Sequence, residues 1–288
     1  MNSPYKIKPF LITLSLCGVA PLLQPLSADE PAAPLQKQKG REHAAQTTEA
    51  FTIAVLPDTR YYCGTRLKLS AKWGNGDLRR SFFAQTEWGC DNQQRLNIKF
   101  LVHEGDLVQS EAPEEWAIVR RAMSVLDGKA SDCMCLGNHD VGFEKADNKD
   151  GGNIGVKRTT HFNTFFPREK FAKRREFGGT FDLERHDNSC YHFGAAGMRF
   201  LIIALECKPR DEVLNWANKV VSEHPDHRAI ILTHADMNPK KSRNTAGGVK
   251  AKGNTGEQTW QKFVKKLKNI FMVPCGHHRG TALPGAST

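Results

Sequence analysis

Five short polar motifs, each following an apolar run, carry residue types that hold divalent metal ions. They are Pro57-Asp58-Thr59-Arg60, Glu104-Gly105-Asp106, Gly137-Asn138-His139-Asp140, Thr233-His234-Ala235-Asp236 and Gly276-His277-His278-Arg279. Together they offer the carboxylates of Asp58 and Asp106, the amide oxygen of Asn138 and the imidazoles of His234 and His277. Those are donors that Mn, Fe or Zn accept. Glycine before Asp106, Asn138 and His277 permits the sharp turn that leaves a ligand facing outward. Taken alone, a Gly-Asp or an Asn-His-Asp is ordinary turn chemistry, and a lone strand-end histidine is usually a hydrogen-bonded core or surface residue. Five such motifs in series are not accounted for that way.

For these residues to meet, the carboxyl ends of several strands must converge on one crevice, as they do in α/β sheets. The apolar pattern supplies the strands, at Phe51–Leu56, Ile98–Val102, Cys133–Leu136, Arg199–Leu205, Ala229–Leu232 and Ile270–Val273. Helical periodicity lies between several of them. Within Glu114–Asp127, the residues Trp116, Val119, Met123 and Leu126 share a face. Within Asp211–Glu223, the set is Val213, Leu214, Ala217 and Val220, with Asp211 placed to cap. Within Glu257–Asn269, it is Trp260, Phe263, Val264 and Leu267. Strands alternating with helices predict an α/β sheet structure. Residues 141–188 are polar and basic with Phe162, Phe165 and Phe166 interspersed, which reads as a long loop or small subdomain over a site. The chain has no internal repeat.

The order Asp58, Gly105-Asp106, Gly137-Asn138-His139-Asp140, His234, Gly276-His277 resembles the calcineurin-like metallophosphoesterases over nearly all of residues 51–280. Leu56-Pro57-Asp58-Thr59 and Leu214-Asn215-Trp216-Ala217-Asn218 look like a bacterial branch whose first motif is Asp-Thr-Gln. The resemblance implies a four-layer αββα sandwich, two mixed β-sheets packed face to face with helices outside. It implies one metal site of Asp106, Asn138, His234 and His277, and another of Asp58 and Asp106, with Asp106 bridging. His139 would protonate the leaving oxygen, oriented by Asp140. Only nine residues follow Arg279, so the second sheet would be shorter than is usual in the family.

Two departures fall on the same implied metal site. Arg60 stands where the branch has Gln, and Arg279 where the family has its last His ligand. A guanidinium stays protonated and cannot ligate a metal, but it can grip a phosphate oxygen with a forked pair of hydrogen bonds. The expectation is therefore one divalent ion (Mn, Fe or Zn) instead of two, with Arg60 and Arg279 assisting phosphate binding; the alternative turns the arginines to solvent. His278, the neighbour of His277 along a strand, would aim the other way. The implied activity is hydrolysis of phosphomonoesters or phosphodiesters by metal-activated water, on a phosphorylated small molecule or polymer. Two other classes stay open: a protein that captures a phosphorylated ligand without turnover, and a basic surface module for nucleic acid or lipid.

The rest of the chain bounds these readings. Hydrophobic residues at 39% and charged residues at 25% describe a soluble globular protein. Lys6 and Lys8, an apolar run to Leu26 and the small Ser27-Ala28 read as a signal peptide over residues 1–28, and Pro21 and Pro25 argue against a membrane span. The expected location is periplasmic or extracellular. Residues 29–50 have too little apolar material to fold and read as a linker, with the phosphoesterase domain at 51–288. Loss of 1–28 takes the net charge from +10 to +8, a surplus that draws anions without choosing among them. The mature chain keeps seven cysteines, among which Cys63 and Cys90 are the preferred disulfide pair and Cys133 and Cys135 read as strand core. Oligomeric state has no sequence signal here.

Overall fold

The computed structural model describes residues 10–14, 50–63, 78–141, 160–245 and 252–277. Most of the expected signal peptide and linker, and both His278 and Arg279, lie outside them. The first sheet has the order β1-β2-β3-β4. It consists of β1 (Phe10–Leu14), β2 (Phe51–Leu56), β3 (Ile98–His103) and β4 (Asp132–Met134). β1 runs antiparallel to β2, and β2, β3 and β4 are mutually parallel. The second sheet has the order β5-β6-β7-β8-β9, from β5 (Phe177–Thr180), β6 (Ser189–Ala195), β7 (Met198–Ala204), β8 (His227–Leu232) and β9 (Ile270–Met272). β5 to β7 are antiparallel, and β7 to β9 are parallel.

Strand alternation builds the layers. In β7 and β8, Phe200, Ile202, Ala204, Ile230 and Leu232 join one buried cluster with Phe51, Ile53, Val55, Phe100 and Val102 of the first sheet. The intervening Leu201, Ile203, Ala229 and Ile231 belong to a second cluster on the opposite face. Aromatic pairs cross between the sheets, with Phe51 to Phe200 at 5.2 Å and Phe100 to Tyr191 at 5.9 Å between ring centroids. Parallel strands need crossovers, and the helices supply them. α1 (Arg60–Cys63), α2 (Arg79–Asp91) and α3 (Pro113–Ser124) fall in the first half. Gly89 of α2 lies so close to Leu101 that a Cβ there would stand 2.6 Å from its Cδ2, which fixes α2 on the outer face of the first sheet. α4 (Phe162–Phe165) and α5 (Arg168–Ala172) precede the second sheet. α6 (Asp211–Ser222) buries Val213, Leu214, Ala217 and Val221 on that sheet's outer face, and α7 (Gly256–Lys262) follows before β9. Helix, sheet, sheet, helix is the expected α/β sandwich.

Several local expectations need correction. β1, which falls within the expected signal peptide, and α1, α2, α4, α5, β5 and β6 are not among the expected elements. Residues 142–159 are not described, but 160–188 belong to the domain body: Phe162 and Phe166 are buried with Trp116, at 5.8 and 6.4 Å between centroids, and are not offered to a nucleic-acid base. α7 is shorter than the periodicity of Glu257–Asn269 predicts, because Phe263 (φ −131°, ψ −68°) breaks it before a 3-10 turn at Val264–Lys266. Asp211 does not cap α6; Arg210 is the cap residue, and Asp211 accepts hydrogen bonds from Asn254 and Lys262 instead. Cys63 and Cys90 are both free thiols. Cys63 is packed in the core, while Cys90 donates to the Val125 carbonyl at 3.5 Å. Cys133 and Cys135 are buried as expected.

Candidate metal centre

The turns that follow β2, β3 and β4 of one sheet and β8 and β9 of the other meet, since Arg60, His139 and His234 all reach Asp106 and His277 reaches His234. On those turns stand Asp58, Asp106, Asn138 with His139, His234 and His277. Asp106 is fully buried and sits in the left-handed backbone region (φ 52°), directly after Gly105 (φ 87°). His277 is also left-handed (φ 69°). Such backbone costs about 1 kcal/mol or more for a residue with a Cβ and tends to persist where surrounding structure holds a functional group in place.

Asp106 is the hub. Its Oδ1 accepts the His139 backbone N–H at 2.9 Å and stands 3.2 Å from His234 Nε2. His277 Nδ1 lies 3.2 Å from the same His234 nitrogen, and one donor atom from each of Asp106, His234 and His277 falls within 4.8 Å of the others. Donors sharing one ion at about 2.1 Å, with angles of 90–110°, are separated by about 3.0–3.4 Å, so the observed spacing fits a common ion. The tautomer supports that fit. His234 Nδ1–H donates to the Glu104 carbonyl at 2.8 Å, which leaves Nε2 of the neutral ring as a bare lone pair facing a carboxylate and a second imidazole. A hydrogen, carried by His234 or by the neutral His277 ring at Nδ1, or else a metal ion, has to sit between them. Burial pulls the His234 pKa down, but the adjacent Asp106 carboxylate outweighs it and brings the value to about 9. For Asp106, burial pushes upward, and His234, His139 and Arg60 together hold the carboxyl below its ordinary range.

Arg60 takes the other side of the hub. Its Nη1 donates to Asp106 Oδ2 at 2.9 Å, its Nε lies 3.6 Å from Asp58 Oδ2, and its Nη2 reaches the Tyr61 hydroxyl at 3.1 Å. The side chain is only 15% exposed, so Arg60 does not point to solvent. Asp58 therefore meets Arg60 and stands outside the Asp106–His234–His277 group. Burial, then Asp106, pushes Asp58 up to about 7. Asn138 is buried between Gly137 and His139, both of which touch Asp106.

No protein-family profile matches the chain. It is 29% identical over 232 residues to a Bacillus subtilis (strain 168) protein described as "uncharacterized protein YvnB", a stretch covering 80% of this chain and 15% of that one. Among solved structures, it is similar to the purple acid phosphatase PPD1 from yellow lupin seeds, with 16% identity and a TM-score of 0.41 over 80% of this chain and 40% of that one. The matched stretch thus spans less than half the length of either protein.

His139 lies beside the hub, and its orientation differs from expectation. His139 Nδ1–H donates to the Gln109 carbonyl at 2.7 Å, leaving Nε2 as the open end of the ring. Asp140 has another task. Its carboxylate accepts the Gly137 N–H at 2.7 Å and the Val108 N–H at 3.0 Å, tying the third motif to the turn after Asp106. Burial lowers the His139 pKa, against the pull of Asp106. Sequence reading missed Glu115, which accepts the Gln109 and Ser110 N–H groups at 2.9 and 2.7 Å and so fixes the carbonyl that holds His139. Its only signal was an acid in the first turn of a helix that follows a motif loop.

Proposed function

We propose that the chain is a metal-dependent phosphoric ester hydrolase of the calcineurin-like kind that works with one divalent ion, Arg60 taking the position of a second. The observation that carries this reading is the division of Asp106, whose Oδ1 faces His234, itself in contact with His277, while its Oδ2 is held by a guanidinium. That is how a bridging carboxylate looks when one of two cations is an arginine. Asp106, His234 and His277, with Asn138 beside them, would hold the ion. When bound, such an ion supplies Lewis acidity and lowers the pKa of water toward 7.

The chain's own groups do the rest. Arg60 keeps positive charge fixed beside Asp106, ready to share a hydrogen bond with a phosphate oxygen. His139, held at Nδ1 by the Gln109 carbonyl, presents Nε2 to the leaving oxygen. It can donate a proton there only when doubly protonated, and its lowered pKa makes that form scarce at neutral pH. Turnover should therefore be slow on poor leaving groups and improve toward mildly acidic pH. The same reading puts the mature chain outside the cytoplasm after removal of residues 1–28, which takes β1 with it and leaves β2, β3 and β4 as the first sheet; intact mass of the secreted product would check this.

The test is metal content of the purified chain beside hydrolysis of bis(4-nitrophenyl) phosphate. One ion per chain is expected, lost together with activity in His277→Ala. Two tightly held ions would overturn the one-ion version. Inorganic phosphate binding by a parent that turns nothing over, matched by Asn138→Ala, would favour the capture reading, which an arginine in a metal position also suits.

A further inference from the structure

Asp58 and Asp106 follow different strands, β2 and β3, and something must set the distance between their turns. The backbone gives one link, from the Thr59 N–H to the Asp106 carbonyl at 3.2 Å. The larger link is a side chain that the chemistry above leaves unused. His103 closes β3 and is fully buried, as is Thr59. The Gly105 N–H donates to His103 Nδ1 at 3.2 Å. An amide can only donate, so Nδ1 is the bare nitrogen and Nε2 carries the hydrogen. That hydrogen points to Thr59 Oγ1 at 3.0 Å, and the Thr59 hydroxyl in turn reaches the Leu107 carbonyl at 3.5 Å. Every proton in the relay has one direction. It runs from the amide of Gly105, where the chain turns left-handed ahead of Asp106, across to the turn that carries Asp58 and Arg60.

We infer that His103 is a positioning residue for the metal centre, its imidazole fixing the left-handed Gly105-Asp106 turn and joining it to the Asp58–Arg60 turn through Thr59. The inference rests on the proposed ligand set, because the property it controls is where Asp106 holds its carboxylate. Without the ring, the Gly105 N–H would be buried with no acceptor, and the strained turn could relax by rotating Asp106 away from His234.

The two ring nitrogens can be replaced one at a time. His103→Asn keeps an acceptor near Nδ1, His103→Gln keeps a donor near Nε2, and His103→Phe keeps neither. The readouts are Mn²⁺ affinity by calorimetry, thermal midpoint and the split between kcat and KM. His103→Phe should lose about 10- to 100-fold in Mn²⁺ affinity, the range typical of outer hydrogen-bond partners of metal ligands. His103→Asn should stay within about threefold of the parent, and His103→Gln should fall between. A folded His103→Phe with parental affinity would overturn the inference, as would variants that all lower the midpoint without changing affinity. If His103→Phe does not fold, equal affinity in the Asn variant, the Gln variant and the parent would overturn it as well. A parent that takes up no ion defeats the proposed function instead. Hydrogen exchange at the Gly105 amide, accelerated in His103→Gln and preserved in His103→Asn, then decides the inference separately.

Discussion

Replacing Gly137 with alanine puts the smallest possible wedge against the hub of the candidate site. A Cβ at this position would stand 2.1 Å from Asp106 Oδ1, 2.2 Å from Asp106 N and 2.8 Å from its Cγ. Ordinary contact begins near 3.4 Å, so about 1.3 Å of separation has to be found. The aspartate cannot yield cheaply. Oδ1 is held by the His139 N–H at 2.9 Å and faces His234 at 3.2 Å, while Oδ2 is held by Arg60 at 2.9 Å. Metal sites tolerate ligand displacements of about 0.2 Å. A shift several times larger should take Asp106 out of the donor set and reduce Mn²⁺ affinity by at least about 100-fold, beyond the usual loss for an outer-shell partner. Misplacing the group by about 1 Å should also cost roughly 10²-fold in hydrolysis. Overpacking alone costs about 1–3 kcal/mol, which in a domain of this size is a fall of roughly 2–12 °C in Tm. Calorimetry, thermal melts and aryl phosphodiester hydrolysis would be run beside Gly194→Ala, where the nearest atom to the new Cβ is Met198 O at 3.8 Å and no change is expected. Parental Mn²⁺ affinity in a Gly137→Ala protein whose Tm has fallen would refute Asp106 as a ligand. An unchanged Tm would refute the packing on which the argument stands.

His139→Ala should lose about 10²- to 10⁴-fold on an alkyl phosphate but far less on a nitrophenyl ester, which needs no proton on departure; equal losses on both would remove His139 from the acid role. Asp140→Asn turns an amide N–H₂ or a weaker acceptor toward the Gly137 and Val108 N–H groups, so about 1–3 kcal/mol of stability should go while the leaving-group dependence stays parental. A changed leaving-group dependence would mean that Asp140 does govern His139. Burial, partly offset by bonds from His161 and Trp116, pushes Glu111 up to about 7. Because the folded pKa is raised, its stabilising contribution is whole below about 4.3 and is lost as pH rises through 7, at up to about 1.4 kcal/mol per unit. Urea titrations from pH 4.5 to 8 should show that decline in the parent and a flatter profile in Glu111→Gln.

The elements that bear the site were legible because each is announced locally. β2 matches the expected strand residue for residue, and β3, β4, β7, β8 and β9 differ by one or two residues at their ends. A buried strand of Val, Ile, Leu and Phe that closes on a Gly-Asp or Thr-His carries its own boundary. β5 carries none: Phe177-Gly178-Gly179-Thr180 has almost no side chains to alternate, and it is held by pairing with β6. The cysteine pair failed for the complementary reason, since residue type says nothing about which way two side chains point. The candidate site divides along the same line. Asp106, His234 and His277 could be named from their types, because few side chains can ligate a metal. What aims them could not. His139 is held by the carbonyl of Gln109, His234 by the carbonyl of Glu104, and His103 grips the amide of Gly105. Carbonyls and amides occur at nearly every position, so no residue letter marks the ones that matter. Asp140 illustrates the resulting error, for adjacency in sequence suggested a partner for His139 that a backbone oxygen thirty positions upstream supplies. Chemistry at this site is thus written in side chains and its geometry in main chain, and only the first of these can be read before the chain is folded.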